Sequence, residues 1–172
     1  MNPKLSFLFG RRSIRKYEPR EVPEELLRDL LEAGMAAPSA VGADPWRFIV
    51  VRNRRTLKEM AAGLPNGPFL TEAGAAIVVA GELEAANDRQ LSYMLQDCSA
   101  CIENILLAVH ALGLGACWLG VHPREQRGEH LRRLFDLPDG VLPVAVLAIG
   151  WPAEEKPART RYDQAKVHDE TW

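Results

Sequence analysis

Cysteine and excess charge are both scarce in this sequence. Only three cysteines occur among 172 residues, an odd number that does not suit a secreted disulfide scaffold and favours a reducing, cytoplasmic location. Lys and Arg together number 21 and Asp and Glu 23, so the formal net charge is −2. No overall basic excess is available to attract nucleic acid or an anionic membrane surface, and we expect neither as a partner.

Long apolar runs are also missing. No stretch approaches the roughly 20 residues that a membrane-spanning helix needs. The arginines near the N-terminus follow a short apolar patch instead of preceding it, which is unlike a secretory signal. Hydrophobic residues make up 47% and charged residues 26%, as in ordinary globular proteins. We therefore expect one soluble domain over residues 1–172.

Motifs for metal binding and for nucleophilic catalysis are absent as well. The four histidines have no zinc-site spacing, and no P-loop, G-x-S-x-G or Ser/His/Asp set can be nominated. Cys98 and Cys101 form a C-x-x-C, but within an apolar helical pattern, so we interpret them as buried small hydrophobic residues. The sequence thus predicts no metal site and no catalytic side chain, which points to a cofactor that carries the chemistry.

Apolar periodicity predicts helices mixed with short strands. The predicted helices are 4–10, a second from Pro23 to before Pro38, 57–62 with Thr56 as its cap, 92–112, and one from Pro123 to Phe135. The predicted strands are 47–51, 75–81, 116–120 and 144–150. Because these elements do not alternate as β-α-β, we expect an α+β fold with one sheet flanked by helices, followed by a polar arm after Trp151.

Two basic segments are candidates for one anion site. The segment RRSIRKY at 11–17 combines a hydroxyl group with four cations: Ser13, Arg11, Arg12, Arg15 and Lys16. Guanidinium groups match the oxygens of a phosphate, although a basic run alone is more often a solvated loop. Arg159 and Arg161 in the arm would complete this site if the arm folds back. We interpret four further arginines as a solvated helix face: Arg124, Arg127, Arg132 and Arg133.

Taken together, the motifs resemble the FMN-dependent nitroreductase family in its short form. The segment at 11–17 is similar to that family's phosphate-binding opening, and APSAVGADPWRF at 37–48 to its flavin-ring loop. GLGACWLG at 113–120 is similar to the glycine-rich turn and strand beside the flavin. LPVAVLAIGWP at 142–152, followed by RTRYDQAKVH at 159–168, is similar to the last strand and the C-terminal arm. The order and distances of the motifs make the resemblance specific.

The resemblance implies an intertwined α+β homodimer with a central, mainly antiparallel sheet, FMN at the subunit interface, and an arm over 152–172 that wraps the partner. The residues implied to hold the phosphate and ribityl chain are Arg11, Arg12, Ser13 and Arg15, with Arg161 and Arg159 closing on the phosphate from the arm. The residues implied to lie along the isoalloxazine are Pro38, Ser39 and Ala40 of the partner chain, and Trp118, Leu119 and Gly120 at the N5 edge.

Two positions depart from the family's S-A-x-N-x-Q-P-W pattern. Gly42 stands where the asparagine that contacts the flavin is expected, and Asp44 where the glutamine is expected. The resemblance also implies a ping-pong reaction, in which NADH or NADPH gives a hydride to flavin N5 and an electron-poor acceptor such as a nitroaromatic or quinone then takes it. A dehalogenase or flavin-consuming enzyme of the same fold, and a non-catalytic flavin-binding protein, remain as alternatives.

Overall fold

A four-stranded antiparallel sheet forms the centre of the computed structural model, which describes residues 2–172. Its strands are β1 (Trp46–Val51), β2 (Ala75–Glu82), β3 (Gly115–Gly120) and β4 (Val141–Gly150). Their order across the sheet is β1-β2-β4-β3, and each neighbouring pair is antiparallel. The central strands β2 and β4 are covered on both faces, which explains their continuous apolar runs. The predicted antiparallel sheet is confirmed.

Helices cover both faces of this sheet. They are α1 (Ser6–Gly10), α2 (Glu24–Met35), α3 (Arg54–Ala62), α4 (Leu91–Ala111) and α5 (Glu125–Phe135). Helices α2 and α4 pack on one face, where Ile77 of β2 belongs to the same buried core as Ile102 and Ile105. Helices α3 and α5 pack on the other face, where Val78 belongs to the same buried core as Leu57. The alternation of Ile77 and Val78 between the two cores follows from the two-residue repeat of a strand.

Three predicted element starts are wrong by a few residues. Asn53, not Thr56, caps α3, because its side-chain oxygen accepts the backbone N–H groups at positions 55 and 56. Helix α5 begins at Glu125, and Pro123 lies in the turn before it. Strand β4 begins three residues earlier than predicted. Pro143 is tolerated there because the β2–β4 register shifts beside it.

The N-terminal segment and the C-terminal arm meet along the outer edge of β3. Ser13 forms a parallel bridge with Ala116, and the Ile14 N–H donates to the Ala116 carbonyl at 2.9 Å. After β4 the chain turns back, and the Arg159 N–H donates to the Phe9 carbonyl at 2.9 Å. The predicted folding back of the arm therefore occurs within one chain.

Helix α4 carries the most apolar surface of the five helices. Its buried residues, from Met94 to Val109, follow one another at spacings of three and four and form one face of the helix, and the Asn104 side chain donates to the Ala33 carbonyl of α2 at 3.1 Å. Within residues 2–172 no helix is both long enough and apolar enough to cross a bilayer.

Candidate functional site

Four guanidinium groups line one small cavity beside α1. The cavity has a volume of about 210 Å³ and is lined by Leu8, Arg11, Arg12, Arg159 and Arg161. We call the four arginines the arginine cluster. Arg12 also donates to the carbonyl of Pro157, 145 positions further along the chain, which holds the arm against the N-terminal segment. The structure thus brings together the two basic segments that the sequence nominates for one anion.

The arginine cluster has an excess of positive charge. Arg11 lies 3.5 Å from the Glu103 carboxylate. The other three guanidinium groups have no carboxylate within 4.0 Å in the part of the chain that the structure describes. Guanidinium groups bind phosphate oxygens through paired N–H donors, so the cavity suits a phosphate monoester.

Ser13 and Arg15 lie outside this cavity but on the same stretch of backbone. The Lys156 ammonium donates to the Ser13 carbonyl at 2.6 Å, and the Arg15 N–H donates to Glu154 at 2.6 Å. The Arg15 guanidinium lies over the Phe69 ring, 5.9 Å from its centroid. Arg15 is therefore placed further along β3 than the arginine cluster, where it can reach the middle of an elongated ligand.

Glu154 and Lys156 are functional candidates that the sequence analysis missed. Their charged groups lie 3.0 Å apart and brace the 13–15 backbone. The hydrogen bond from the Arg15 N–H holds the pKa of Glu154 below its usual value, and the nearby Lys156 lowers it further. The available signal was a pair of opposite charges immediately after the last strand.

The end of β3 presents an open strip of backbone, Trp118–Gly120, which we call the sheet-edge strip. The Ala116 carbonyl points outward to Ile14, and the Gly120 carbonyl points outward to the Arg127 guanidinium at 2.7 Å. Because alternate residues of a strand direct their backbone groups to the same edge, Trp118 also presents its N–H outward. Its side chain is 37% exposed.

Gly120 leaves open space above the sheet-edge strip. A Cβ built on Gly120 would meet no other atom within 4 Å, and the residue is not in the left-handed region. Neither packing nor backbone strain within this chain therefore requires glycine at position 120. From Ala116, which pairs with Ser13, to Gly120 the strand extends roughly 13 Å, so the arginine cluster and the strip lie at different points along the same edge of β3.

The 38–44 loop lies at the opposite edge of the sheet. It precedes β1, which is three strand spacings, roughly 14 Å, from β3. Within one chain, the predicted ring residues Pro38, Ser39, Ala40 and Gly42 therefore do not join the arginine cluster or the sheet-edge strip. This arrangement agrees with the expectation that the loop serves a partner chain.

Internal hydrogen bonds hold the 38–44 loop in an unusual backbone conformation. Val41, Gly42 and Asp44 have φ values of 51°, 69° and 49°, all left-handed. The Ser39 hydroxyl donates to the Asp44 carboxylate at 2.5 Å, and the Asp44 N–H donates back to the hydroxyl at 3.1 Å. The aspartate at the expected glutamine position thus closes the loop on itself and leaves Val41 exposed at the tip.

Asp97 of α4 anchors this loop and was also missed. Its side chain is only 5% exposed, and one carboxylate oxygen accepts the Ala40 N–H at 2.9 Å. The other carboxylate oxygen is buried without a hydrogen-bond partner among residues 2–172. The sequence did contain a signal for Asp97, namely a charged residue inside the most apolar helix, because charged residues are seldom buried unless they have a partner.

Substituting Asp97 should change the loop more than the fold. In Asp97→Ala the Ala40 N–H loses its acceptor, so we expect its amide to exchange with solvent at least about tenfold faster, as for the loss of a bond worth roughly 1–1.5 kcal/mol. Asp97→Asn retains an acceptor oxygen and should keep the protection. Amide exchange measured by NMR decides this, and equal protection of Ala40 in wild type and Asp97→Ala would contradict the anchoring role.

The three cysteines are all free and buried. Burial raises the pKa of both Cys98 and Cys101 to about 12. Burial also raises the pKa of Cys117, although the adjacent Arg15 and Lys156 partly offset this. Within residues 2–172, no group of three or more His, Cys, Asp and Glu side chains could hold a metal ion.

The cysteine thiols should therefore be unreactive in the folded protein. Near neutral pH the raised pKa values leave almost no thiolate at Cys98 or Cys101, and burial blocks access. We expect iodoacetamide to label neither residue until the protein is unfolded, when all three cysteines should react. Rapid labelling of either residue in the native state would contradict their interpretation as core residues.

Comparison with known proteins gives concordant matches. The model of the nitroreductase family matches residues 8–64 and 55–151. A protein of Methanothermobacter thermautotrophicus, provisionally named NADH dehydrogenase/NAD(P)H nitroreductase, is 47% identical over 168 residues, covering 98% of this chain and 87% of that protein.

Two solved structures extend the comparison. An FMN-dependent nitroreductase from Clostridium difficile R20291 superposes with a TM-score of 0.90 at 34% identity, covering 98% of this chain and 99% of that one. A protein of Desulfovibrio desulfuricans, provisionally named a nitroreductase and solved in complex with FMN, gives a TM-score of 0.85 at 32% identity, covering 100% of this chain and 99% of that one.

Proposed function

The chain belongs to the nitroreductase family, and we propose that it is an FMN-dependent oxidoreductase. It would take electrons from NADH or NADPH and pass them, in a ping-pong reaction, to an electron-poor acceptor such as a nitroaromatic or a quinone. The observation that carries the proposal is the pairing of two features on one edge of β3. A cavity lined by four arginines lies at one end, and an open strip of strand backbone lies at the other.

The arginine cluster fits the phosphate of FMN. Arg12, Arg159 and Arg161 supply charge that no carboxylate neutralises among residues 2–172, and Arg11 adds a fourth set of donors. Ser13 and Arg15 continue the same backbone towards the strip, where they would face the ribityl chain. A dinucleotide cofactor such as FAD would lack a terminal phosphate for this cavity.

The sheet-edge strip fits a flat ring. The open space at Gly120 is a place that any other side chain would fill, and the outward N–H groups of the strip have no backbone acceptor outside the sheet among residues 2–172. When bound there, FMN would supply the hydride-transfer chemistry. The chain's own part is to direct fixed N–H dipoles at the ring edge, where they would stabilise negative charge without reorganising.

No acid or base side chain lies on the strip itself, so the chain's residues act by binding and by charge. Trp118 would flank the ring, and Leu119, which is buried, would fix the strand. Donor and acceptor would then bind in turn over the same open face. This accounts for a site that holds no catalytic triad.

We further propose that the site is completed by a second copy of the chain. Pro38, Ser39, Ala40 and Gly42 lie roughly 14 Å or more from β3 within one chain, yet Asp97 holds their loop in a defined, outward-facing shape. A homodimer would bring this loop over the partner's sheet-edge strip. The end of the arm, beyond Arg161, would extend along the partner.

Anaerobic reduction tests the proposed activity. The FMN-loaded protein should lose its yellow absorbance when NADH or NADPH is added without oxygen, and should regain it when a nitroaromatic or quinone follows. Failure of both nucleotides to bleach the flavin would reject the oxidoreductase and leave a flavin-binding protein. Cofactor released by heat should be FMN, so FAD as the main species would contradict the assigned phosphate site.

A further inference from the structure

Helix α5 carries three arginines and a fourth, Arg124, caps its start, and these four fall into two different classes. Arg132 and Arg133, in the last turn, lie 3.0 Å from Asp139 and 3.8 Å from Glu129, respectively. Arg124 and Arg127, at the start of the helix, have no carboxylate within 4.0 Å over the described range 2–172. Arg124 and Arg133 are exposed and Arg127 and Arg132 are half-buried, so each half of this face meets solvent, but only the first half has two unneutralised cations.

These two cations line a cavity that adjoins the sheet-edge strip. The cavity has a volume of about 530 Å³ and is lined by Gly63, Pro65, Pro123, Arg124, Glu125, Gln126 and Arg127. We call it the α5 cavity. Arg127 donates to the Gly120 carbonyl at 2.7 Å, so one guanidinium belongs to both the cavity wall and the strip.

The walls of the α5 cavity are held firmly. The His130 ring of α5 makes a 2.8 Å hydrogen bond to the Glu59 carbonyl of α3. The ring packs so closely on Gly63 that a Cβ there would lie 2.1 Å from it. A Cβ at Gly67 would likewise lie 3.0 Å from Leu119, so the 63–67 loop touches the strand that carries the strip. A ligand would meet a cavity that is already formed.

We propose that the α5 cavity binds a phosphate of the adenosine end of the nicotinamide donor, with Arg124 and Arg127 as the donors. This proposal rests on the proposed function, because a nicotinamide ring that gives up its hydride has to lie on the strip. The rest of the donor is anionic and has to leave the strip at one end. FMN's own phosphate occupies the arginine cluster at the far end, which leaves the α5 cavity at the near end.

One acidic group, Glu125, is unfavourable for an anion in the α5 cavity and provides a second variant for the test. Glu125 also lines the α5 cavity, and no cation lies within 4.0 Å of its carboxylate in the described part of the chain. An anionic ligand would be repelled by Glu125 and attracted by Arg124. The two residues should therefore change affinity in opposite directions when their charges are removed.

Binding of donor fragments to the FMN-loaded protein tests the cavity directly. The probes are 5′-ADP and adenosine 2′,5′-bisphosphate, titrated by calorimetry or NMR. Arg124→Ala should weaken the bound probe about tenfold, as for the loss of one charge-assisted hydrogen bond. Glu125→Gln should strengthen it a few-fold, and Arg133→Ala, the matched control on the same helix, should leave it unchanged. Arg127→Ala serves as a second variant, although it also frees the Gly120 carbonyl.

The outcomes separate the cavity from the proposed function. If both probes weaken in Arg124→Ala, the arginines hold the pyrophosphate. If only the bisphosphate weakens, they hold the 2′-phosphate and the enzyme prefers NADPH. Unchanged affinity for both probes in Arg124→Ala and Arg127→Ala overturns the proposed subsite, even if NADPH still bleaches the flavin. Arg124-dependent binding of a probe in a protein that neither nucleotide bleaches would reject the proposed activity and keep the subsite.

Discussion

Arg161→Ala should lower the affinity for FMN roughly tenfold to hundredfold while leaving the protein folded. One charged donor to a phosphate contributes on the order of 1.5–3 kcal/mol, which corresponds to that range. Arg161 is exposed and belongs to the arginine cluster with Arg11, Arg12 and Arg159, so removing its side chain leaves no buried polar partner without a hydrogen bond. Titration of FMN into the apoprotein, followed by flavin fluorescence, measures the change.

Two comparisons make this prediction specific. Arg55→Ala removes the same charge from a side chain that is 87% exposed and lies on α3, so it should bind FMN like wild type. Arg12→Ala and Arg161→Ala should combine non-additively, because both act on one anion. If Arg161→Ala binds FMN with wild-type affinity, the arm does not reach the phosphate and this half of the assigned site is wrong.

Gly120→Ile should weaken FMN binding on the order of a hundredfold without a comparable loss of stability. A Cβ at this position meets nothing within 4 Å, and the backbone conformation is one that any residue adopts, so the chain itself accommodates the side chain. The isoalloxazine would then have to displace a branched side chain from a rigid strand edge. Crowding of this kind costs about 1–3 kcal/mol or more, so we expect affinity to fall on the order of a hundredfold.

Gly128→Ala provides the control for Gly120→Ile. A Cβ at Gly128 also meets nothing within 4 Å, but the residue lies inside α5 and away from the strip. Alanine should stabilise this helix by roughly 0.5–1 kcal/mol and leave FMN affinity unchanged. Thermal unfolding of the apoproteins and FMN titration measure both effects. Wild-type affinity in Gly120→Ile would mean that the ring lies elsewhere.

Much of the fold could be predicted because its strongest signals are local. The apolar runs of β2 and β4 follow from burial on both faces of the sheet, the apolar stripe of α4 follows from burial of one helix face, and each element lies near its predicted place. The start of α3 was missed because Asn53 and Thr56 are both good capping residues, and only the backbone decides between them. The start of β4 depends on a register shift opposite β2, which is a long-range property.

The residue types of the site could be predicted from the sequence, but the way in which distant segments meet to form it could not. The segment at 11–17 and the pair Arg159 and Arg161 stand out by charge, but they meet through long-range hydrogen bonds, from the Arg159 N–H to the Phe9 carbonyl and from Arg12 to the Pro157 carbonyl. Arg133 differs from Arg124 by a carboxylate four residues earlier on the same helix, Glu129, so the spacing of charges along α5 already distinguishes the two arginines. Asp44 was identified as a departure, and its loop-closing bond to Ser39 required the structure.

A hybrid dimer tests the shared FMN site most directly. One protomer carries Gly120→Ile, which blocks its sheet-edge strip, and the other carries Ala40→Trp, which blocks the loop that crosses to the partner. Each homodimer should bind FMN on the order of a hundredfold more weakly than wild type. The hybrid, purified by two different tags, has both lesions in one site and none in the other, so we predict about one FMN per dimer, reducible by the nicotinamide donor. A hybrid that binds no FMN would contradict a site built from two chains.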